Sequence, residues 1–252
     1  MSPTTWRLDL AYAGGGFSGW AFQPGTRTVQ GELELALDRL FGDSPRLTVA
    51  GRTDAGVHAW GQVASFETAS PGPEEMVRSL NAMTGDDLAV LAAARKHSGF
   101  DARRDARSRT YCYRVLAASV PSPFQADFSL YWPHPLDVGL LEDAAESVVG
   151  EHDFTAFTPT QTDHVRFERS VLGCEWRSTR PDPEFPGQLL ELWIEADAFM
   201  RNMVRALVGT MLEVGGGRRS PEDFASLLSG APREAGGPTA PPHGLHLASV
   251  SY

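Results

Sequence analysis

The 252-residue chain is predicted to be an α+β protein, with two tandem ferredoxin-like (βαββαβ) units forming an extended antiparallel sheet that carries helices on one side. Three observations predict it. Strand-like and helix-like segments run strand, helix, strand, strand, helix, strand in the first half, and the order returns with different lengths in the second. Strand candidates alternate apolar and polar residues, whereas helix candidates place apolar residues three and four apart. A hydrophobic content of 42% supports a substantial core. The first unit is expected over residues 1–104 and the second over 105–252. The repetition is one of organisation, not of sequence.

Trp6 to Tyr12 opens the first unit as a strand. Thr28 to Phe41 follows as a helix, with Val29, Leu33, Ala36, Leu37, Leu40 and Phe41 at helical spacing. Arg46 to Ala50 and Gly61 to Glu67 are the next two strands. A second helix starts near Pro73, a favourable first-turn residue, with Glu74 and Glu75 at its positive end and Met76, Val77 and Leu80 inward. Leu88 to Ala94 closes the unit.

In the second unit Thr110 to Leu116 alternates Tyr111, Tyr113 and Val115 against Cys112, Arg114 and Leu116, as strands do. Asp137 to Val149 is a helix, and Ser170 to Trp176 and Gln188 to Ala196 are strands. Phe199 to Val214 is the longest helix pattern, ended by Gly215-Gly216-Gly217, and Ser220 caps a short helix after it. Leu245 to Tyr252 is the final strand. Val120 to Pro135 and Ala231 to Pro242, rich in Pro or Gly, are expected to be loops.

The net charge of -10 argues against a polyanionic partner, because neutralising phosphates is the main source of nucleic-acid affinity. The distribution argues the other way. Lys96 is the only lysine among 22 basic residues, and Arg95, Lys96, Arg103, Arg104, Arg107 and Arg109 cluster in one stretch. Guanidinium forks suit phosphate oxygens. No apolar run approaches the roughly 20 residues of a membrane span, and no leader pattern opens the chain, so the cytoplasm is expected. Cys112 and Cys174 read as buried thiols, and the seven histidines show no metal-ligand spacing, so no metal is expected.

Gly14-Gly15-Gly16-Phe17-Ser18-Gly19 matches a dinucleotide-binding pattern in form only, since Pro24-Gly25 breaks the helix such a loop must open. It reads as a flexible turn. Gly51-Arg52-Thr53-Asp54-Ala55-Gly56-Val57-His58 lies between two strand candidates. If Arg52 to Asp54 is extended, both side chains share a face, and a guanidinium there favours an ionised carboxylate. By spacing alone, Asp54 reads as a turn-capping aspartate and His58 as a packing or turn residue.

This octapeptide closely resembles the signature of the tRNA pseudouridine synthase A family, in which the aspartate is the nucleophile. Other stretches agree in order: Gly19-Trp20, Val29-Gln30-Gly31-Glu32-Leu33-Glu34, Gly61-Gln62-Val63, and Phe100-Asp101-Ala102-Arg103 with Arg109 and Tyr111-Cys112-Tyr113. So do Phe199 to Arg205 with Val208-Gly209, and Ala240 to Leu247 with Val250 and Tyr252. The chain departs from the family at Tyr12-Ala13-Gly14, where Tyr-Asp-Gly is usual, at Ala21 in place of Gln, and at Asp105-Ala106 in place of Ser-Ala.

The resemblance implies the pseudouridine synthase fold and isomerisation of uridine at positions 38, 39 and 40 in the anticodon stem-loop of tRNA, without a cofactor. It makes Asp54 the nucleophile, at C6 of the base or C1′ of the sugar. Tyr111 would stack on the target base, Arg205 would hold Asp54 ionised, and Leu245 would wall the pocket. Arg52 would fill the space left by a flipped base. Arg103, Arg104, Arg107 and Arg109 would contact the RNA backbone, and Arg201, one helical turn before Arg205, is a solvated or phosphate-facing charge. A homodimer spanned by one tRNA is also implied. Two other readings compete: a non-catalytic RNA-binding protein on the same fold, and a nucleotide-dependent oxidoreductase using the Gly14 to Gly19 loop.

Overall fold

Strand β1 (Thr4–Tyr12) pairs antiparallel with β3 (His58–Thr68) on one side and with β4 (Leu88–Lys96) on the other, while β2 (Thr48–Val49) pairs antiparallel with β3. The resulting order β4-β1-β3-β2 is that of a ferredoxin-like unit. This computed structural model describes residues 3–69, 72–73, 75–162, 165–180 and 185–252; Glu74 and His164 lie outside them. The chain divides into two units, residues 1–107 with 246–252, and residues 108–245.

In the first unit α1 (Val29–Phe41) starts where Thr28, in extended conformation, accepts the Gly31 N–H on its Oγ1 at 3.2 Å, and ends at Gly42 with φ 73°. A cap of this kind contributes about 1 kcal/mol. Val29, Leu33, Ala36 and Leu37 are buried, and Phe41 meets Phe66 of β3 edge-on at 5.6 Å, which sets the helix against one face of the sheet. Helix α2 (Met76–Asn81) packs on β4. It begins later than Pro73: Glu75 precedes it without a side-chain cap, and Met76 and Leu80 are its buried residues.

The β1–β3 ladder contains one irregularity that matters for the site. Leu10 pairs with Gln62 but Tyr12 pairs with Ala59, so β3 holds one residue more than β1 across this stretch. Alternation then puts Gln62 and Ala59 on the face of Leu10 and Tyr12, and turns His58 and Trp60 to the opposite face. The last strand, β10 (Leu245–Ser251), runs parallel to β3 through the pairs His246–His58 and Leu247–Ala59. On that face Val63, Ala50, Phe100 and Ala102 form a small core with Val250 and Tyr252 against it.

The second unit is built on β5 (Ser108–Ala117), β7 (Gly150–Asp153), β8 (Glu168–Thr179) and β9 (Gln188–Ala196), in the antiparallel order β5-β9-β8-β7. The segment expected to be a loop from Val120 to Pro135 contains β6 (Leu130–Trp132), which adds to β5 in parallel. Three residues between prolines were too short to show periodicity. Helix α3 (Val138–Val148), capped by Asp137 accepting from Leu140 N–H at 3.2 Å, packs on β8 and on α4 (Met203–Gly215). Ser220 caps α5 (Pro221–Ser226) as its sequence position suggests. Among the described residues no helix is long and apolar enough to cross a membrane.

Helix α4 starts four residues later than its apolar pattern. Asn202 sits at φ 60°, a left-handed conformation that asparagine tolerates and that interrupts the helix before Met203. Arg201 is therefore exposed in the preceding turn, not one helical turn below Arg205. Cys112 is buried and Cys174 partly so; burial pushes both thiols up, Cys174 to about 12.

Candidate active site

The loop from Gly51 to Val57 joins β2 to β3 and is held from beneath by side chains of β1 and β3. Gln62 donates its Nε2 to the Gly51 carbonyl at 2.8 Å and to the Tyr12 hydroxyl at 3.2 Å. Tyr12 Oη and Thr53 Oγ1 are 2.8 Å apart, and the Thr53 carbonyl accepts the Trp20 N–H at 3.0 Å. Thr53 is buried between exposed Arg52 and half-buried Asp54, the alternation of an extended segment. Val57 N–H then donates to the Asp54 carbonyl at 3.1 Å, closing a turn whose third residue is Gly56 at φ 79°. A positive φ there is what a type II turn requires, and glycine supplies it without steric cost.

The glycine-rich stretch supports this loop. A Cβ on Gly14 would stand 2.0 Å from the Val57 carbonyl oxygen, and one on Gly19, at φ 90°, 2.9 Å from the Thr53 carbonyl oxygen. Backbone approach this close excludes any side chain. Gly14 to Gly16 forms a short 3-10 turn. Its far end is tied by Arg27, which makes a two-pronged bridge to Asp87 at 2.6 and 2.7 Å and reaches Glu32 at 2.8 Å. That bridge holds Asp87 below the usual carboxylate range.

His58 follows the loop as a buried packing residue. Its Nδ1 accepts the Gly14 N–H at 3.0 Å, so the ring carries no proton at that nitrogen. The ring stacks on His246 of β10 at 4.7 Å, and His246 lies 4.4 Å from the Trp60 ring. Burial pushes the Tyr12 hydroxyl up to about 12 against the lowering effect of its bonds to Thr53 and Gln62, so it stays a neutral phenol.

Asp101 organises the arginine-rich turn of the same unit. Its Oδ1 accepts the backbone N–H groups of Arg103 at 2.9 Å and Arg104 at 2.8 Å, and the Arg104 guanidinium stands 3.2 Å from its Oδ2. Burial pushes this carboxyl up, but those backbone bonds and the guanidinium outweigh it and hold it low. The turn is pinned by Ala102, whose N–H donates to Ser65 Oγ and whose carbonyl accepts from Tyr252. Arg103, Arg104 and Arg107 are exposed.

In the second unit Tyr111 lies on β5, 8% exposed, with its ring edge-on to Phe199 at 5.0 Å. Arg109, half-buried, donates to the Asp197 carbonyl at 2.9 Å. Arg205, half-buried on α4, donates from Nε to the Ala240 carbonyl at 2.7 Å and from Nη1 to Asn202 Oδ1 at 3.0 Å, and its own carbonyl accepts the Ala240 N–H. The guanidinium is thus fixed by the left-handed Asn202 and by the segment before β10. Gly209 lets that segment approach, since a Cβ there would meet the Pro238 carbonyl oxygen at 1.8 Å. Tyr113 donates to the Pro241 carbonyl at 2.8 Å, and the short turn Pro242–Gly244 delivers buried Leu245.

The structure therefore gathers Arg52 and Asp54 in one braced loop, with Arg103, Arg104 and Arg107 elsewhere in the same unit, and holds Tyr111, Arg109, Arg205 and Leu245 in the other. Sequence reasoning missed the bracing set of Tyr12, Thr53, Trp20 and Gln62. The glycines at 14 and 19 were the available signal, because a close backbone approach is the other use of glycine besides a ligand loop. Among the described residues no group of three or more His, Cys, Asp or Glu could hold a metal ion.

A family model described as tRNA pseudouridine synthase matches residues 144–252. Curated relatives named tRNA pseudouridine synthase A match nearly end to end. One from Frankia casuarinae is 43% identical over 249 residues, covering 98% of this chain and 88% of the relative. One from Geobacillus sp. is 38% identical over 98% of this chain and 97% of its own, and one from Bacillus subtilis 39% identical over 98% of each.

Proposed function

Because the chain belongs to the tRNA pseudouridine synthase A family, we propose that it isomerises uridine to pseudouridine at positions 38, 39 and 40 of the tRNA anticodon stem-loop, with Asp54 as nucleophile. The observation that carries the role of Asp54 is its setting. It is a half-buried carboxylate at the head of a turn whose neighbours on both sides are fixed by buried side chains and by glycine contacts. Holding a reacting group in place before the substrate arrives removes an entropic part of the barrier.

The chemistry is an internal rearrangement. The N1–C1′ bond breaks, the base turns, and a C5–C1′ bond forms; a proton leaves C5 and one is gained at N1, with no net redox change. Asp54 attacks at C1′ or C6 and is regenerated. A stacked base must leave the helix to be reached, and exposed Arg52, two residues from Asp54, fills the vacated space. Tyr111 stacks on the extruded base, Leu245 walls it, and Arg205 supplies the cation that favours ionised Asp54. Arg103, Arg104, Arg107 and Arg109 contact the RNA backbone. The same reading makes the enzyme a cytoplasmic homodimer spanned by its tRNA.

The test is incubation of wild type and Asp54→Ala with unmodified tRNA, followed by mapping of pseudouridine. The wild type is expected to modify positions 38 to 40 and the variant none, with tRNA affinity retained. Equal yields would reject the enzymatic role of Asp54.

A further inference from the structure

Asn202 is one of two non-glycine residues with positive φ among the described residues, the other being Ser44, and it stands where α4 begins. An asparagine at a helix start ordinarily turns its side-chain oxygen onto the first free N–H groups of the helix. This one makes no such cap; its Oδ1 accepts Nη1 of Arg205 at 3.0 Å instead. The turn is closed without that amide. Met203 N–H donates to the Met200 carbonyl at 3.2 Å, Ala206 N–H to the Asn202 carbonyl at 2.9 Å, and Thr158 Oγ1 to the Arg201 carbonyl at 3.3 Å. A left-handed residue and a forgone cap both cost stability, and such features persist where the surroundings make use of them. What they yield here is a second fixed acceptor for one guanidinium, whose Nε is already held by the Ala240 carbonyl at 2.7 Å. With acceptors on two segments of chain, the planar fork is set in one orientation.

We propose that Asn202 is a positioning residue for the reaction, presetting the Arg205 guanidinium before the substrate arrives. The role of Arg205 rests on the function proposed above; the hold of Asn202 on it rests on this geometry. A guanidinium on a flexible stem loses side-chain freedom each time it engages a charge, and one already clamped has lost it on folding. Because Arg205 serves Asp54 and not the RNA backbone in that reading, the contribution of Asn202 falls on kcat, not on KM.

The test uses Asn202→Gly, which keeps the left-handed turn without strain and removes only the amide, so that the two uses of the residue separate. The variant is expected to lower kcat about 10- to 100-fold, as a displacement of about 1 Å would, with KM for tRNA and melting temperature near wild type. In an Arg205→Lys background, whose ammonium lacks the fork, the same substitution should change kcat by less than about 2-fold. Wild-type kcat in Asn202→Gly overturns the proposal, and so does a full effect that persists beside Arg205→Lys. A fall in melting temperature large enough to account for the lost rate marks a folding role and overturns it as well. Nitrogen NMR of the arginine side chains gives a readout without turnover. Rotation of the Arg205 Nη groups, identified by their loss in Arg205→Lys, should be slow in wild type and faster in Asn202→Gly; equal rotation refutes the hold. If the wild type forms no pseudouridine the functional reading falls, yet the rotation rates still decide whether Asn202 sets the guanidinium.

Discussion

The Tyr12 hydroxyl lies 2.8 Å from Thr53 Oγ1, one residue before Asp54, and the same hydroxyl accepts the Gln62 amide at 3.2 Å. Removing it as Tyr12→Phe leaves two buried polar groups short of a partner, a cost of about 1–3 kcal/mol. The loop then loses its brace on the side of Asp54. We expect a lower melting temperature and a kcat that falls more than KM rises, because a displacement of about 1 Å at the reacting group can cost on the order of 100-fold in rate. A variant with wild-type kcat would show that Thr53 is held well enough by the Trp20 N–H alone.

Tyr12 also makes stability depend on high pH. Its folded-state value, about 12, lies above the ordinary 10.0 because burial opposes the phenolate. The unfolded chain therefore releases the proton first as pH rises. The contribution is fully present below pH 10 and is lost as pH climbs from 10 through 12, at most ~2.7 kcal/mol in all. Denaturant titrations across that window should show a steep decline for the wild type that is shallower, by one released proton, in Tyr12→Phe. Identical slopes would mean that the hydroxyl is not buried in solution.

Gly19 and Gly25 separate close approach from conformation. Both have positive φ, 90° and 77°, but a Cβ on Gly19 would press on the Thr53 carbonyl whereas one on Gly25 meets nothing within 4 Å. Gly25→Ala should cost only the left-handed penalty of about 1–2 kcal/mol and keep its activity. Gly19→Ala adds a backbone clash directly under the Asp54 loop, so turnover should fall well beyond what its melting temperature explains. Equal activity in the two variants would refute the bracing role of Gly19.

Much of this architecture is legible in local pattern. Ser220 caps the short helix that its position announces, the helices read from Thr28 and Asp137 begin there, and the alternation around Tyr111 and Leu192 matches β5 and β9. The misses have local causes too. Phe199 to Asn202 continues the apolar spacing of α4, but a single left-handed residue, Asn202, stops the helix, and spacing carries no record of φ. β6 is made by pairing with β5, a partner some fifteen residues away in sequence, and not by any preference of its own three residues. The bulge that aims Trp60 depends on the register between β1 and β3, which no periodicity reports. The Gly14 to Gly19 stretch gives the opposite lesson. Its composition suggested a ligand loop, its context argued for a turn, and what it does is make room for the Asp54 loop.

Asp101 binds the backbone N–H groups of Arg103 and Arg104 and the Arg104 guanidinium, and both arginines remain exposed in the first unit. In the proposed function these guanidinium groups meet phosphates rather than bases, so they set affinity and its salt dependence without touching the chemistry. Each lost phosphate contact should reduce the slope of log affinity against log salt by about 0.7–0.9. Arg103→Ala with Arg104→Ala is therefore expected to flatten the slope by close to two such steps, to weaken tRNA binding most at low salt, and to leave kcat at saturating tRNA unchanged. Asp101→Ala should resemble this pair only partly, because it frees the turn but keeps both charges. A slope equal to that of the wild type would remove Arg103 and Arg104 from the RNA-binding surface.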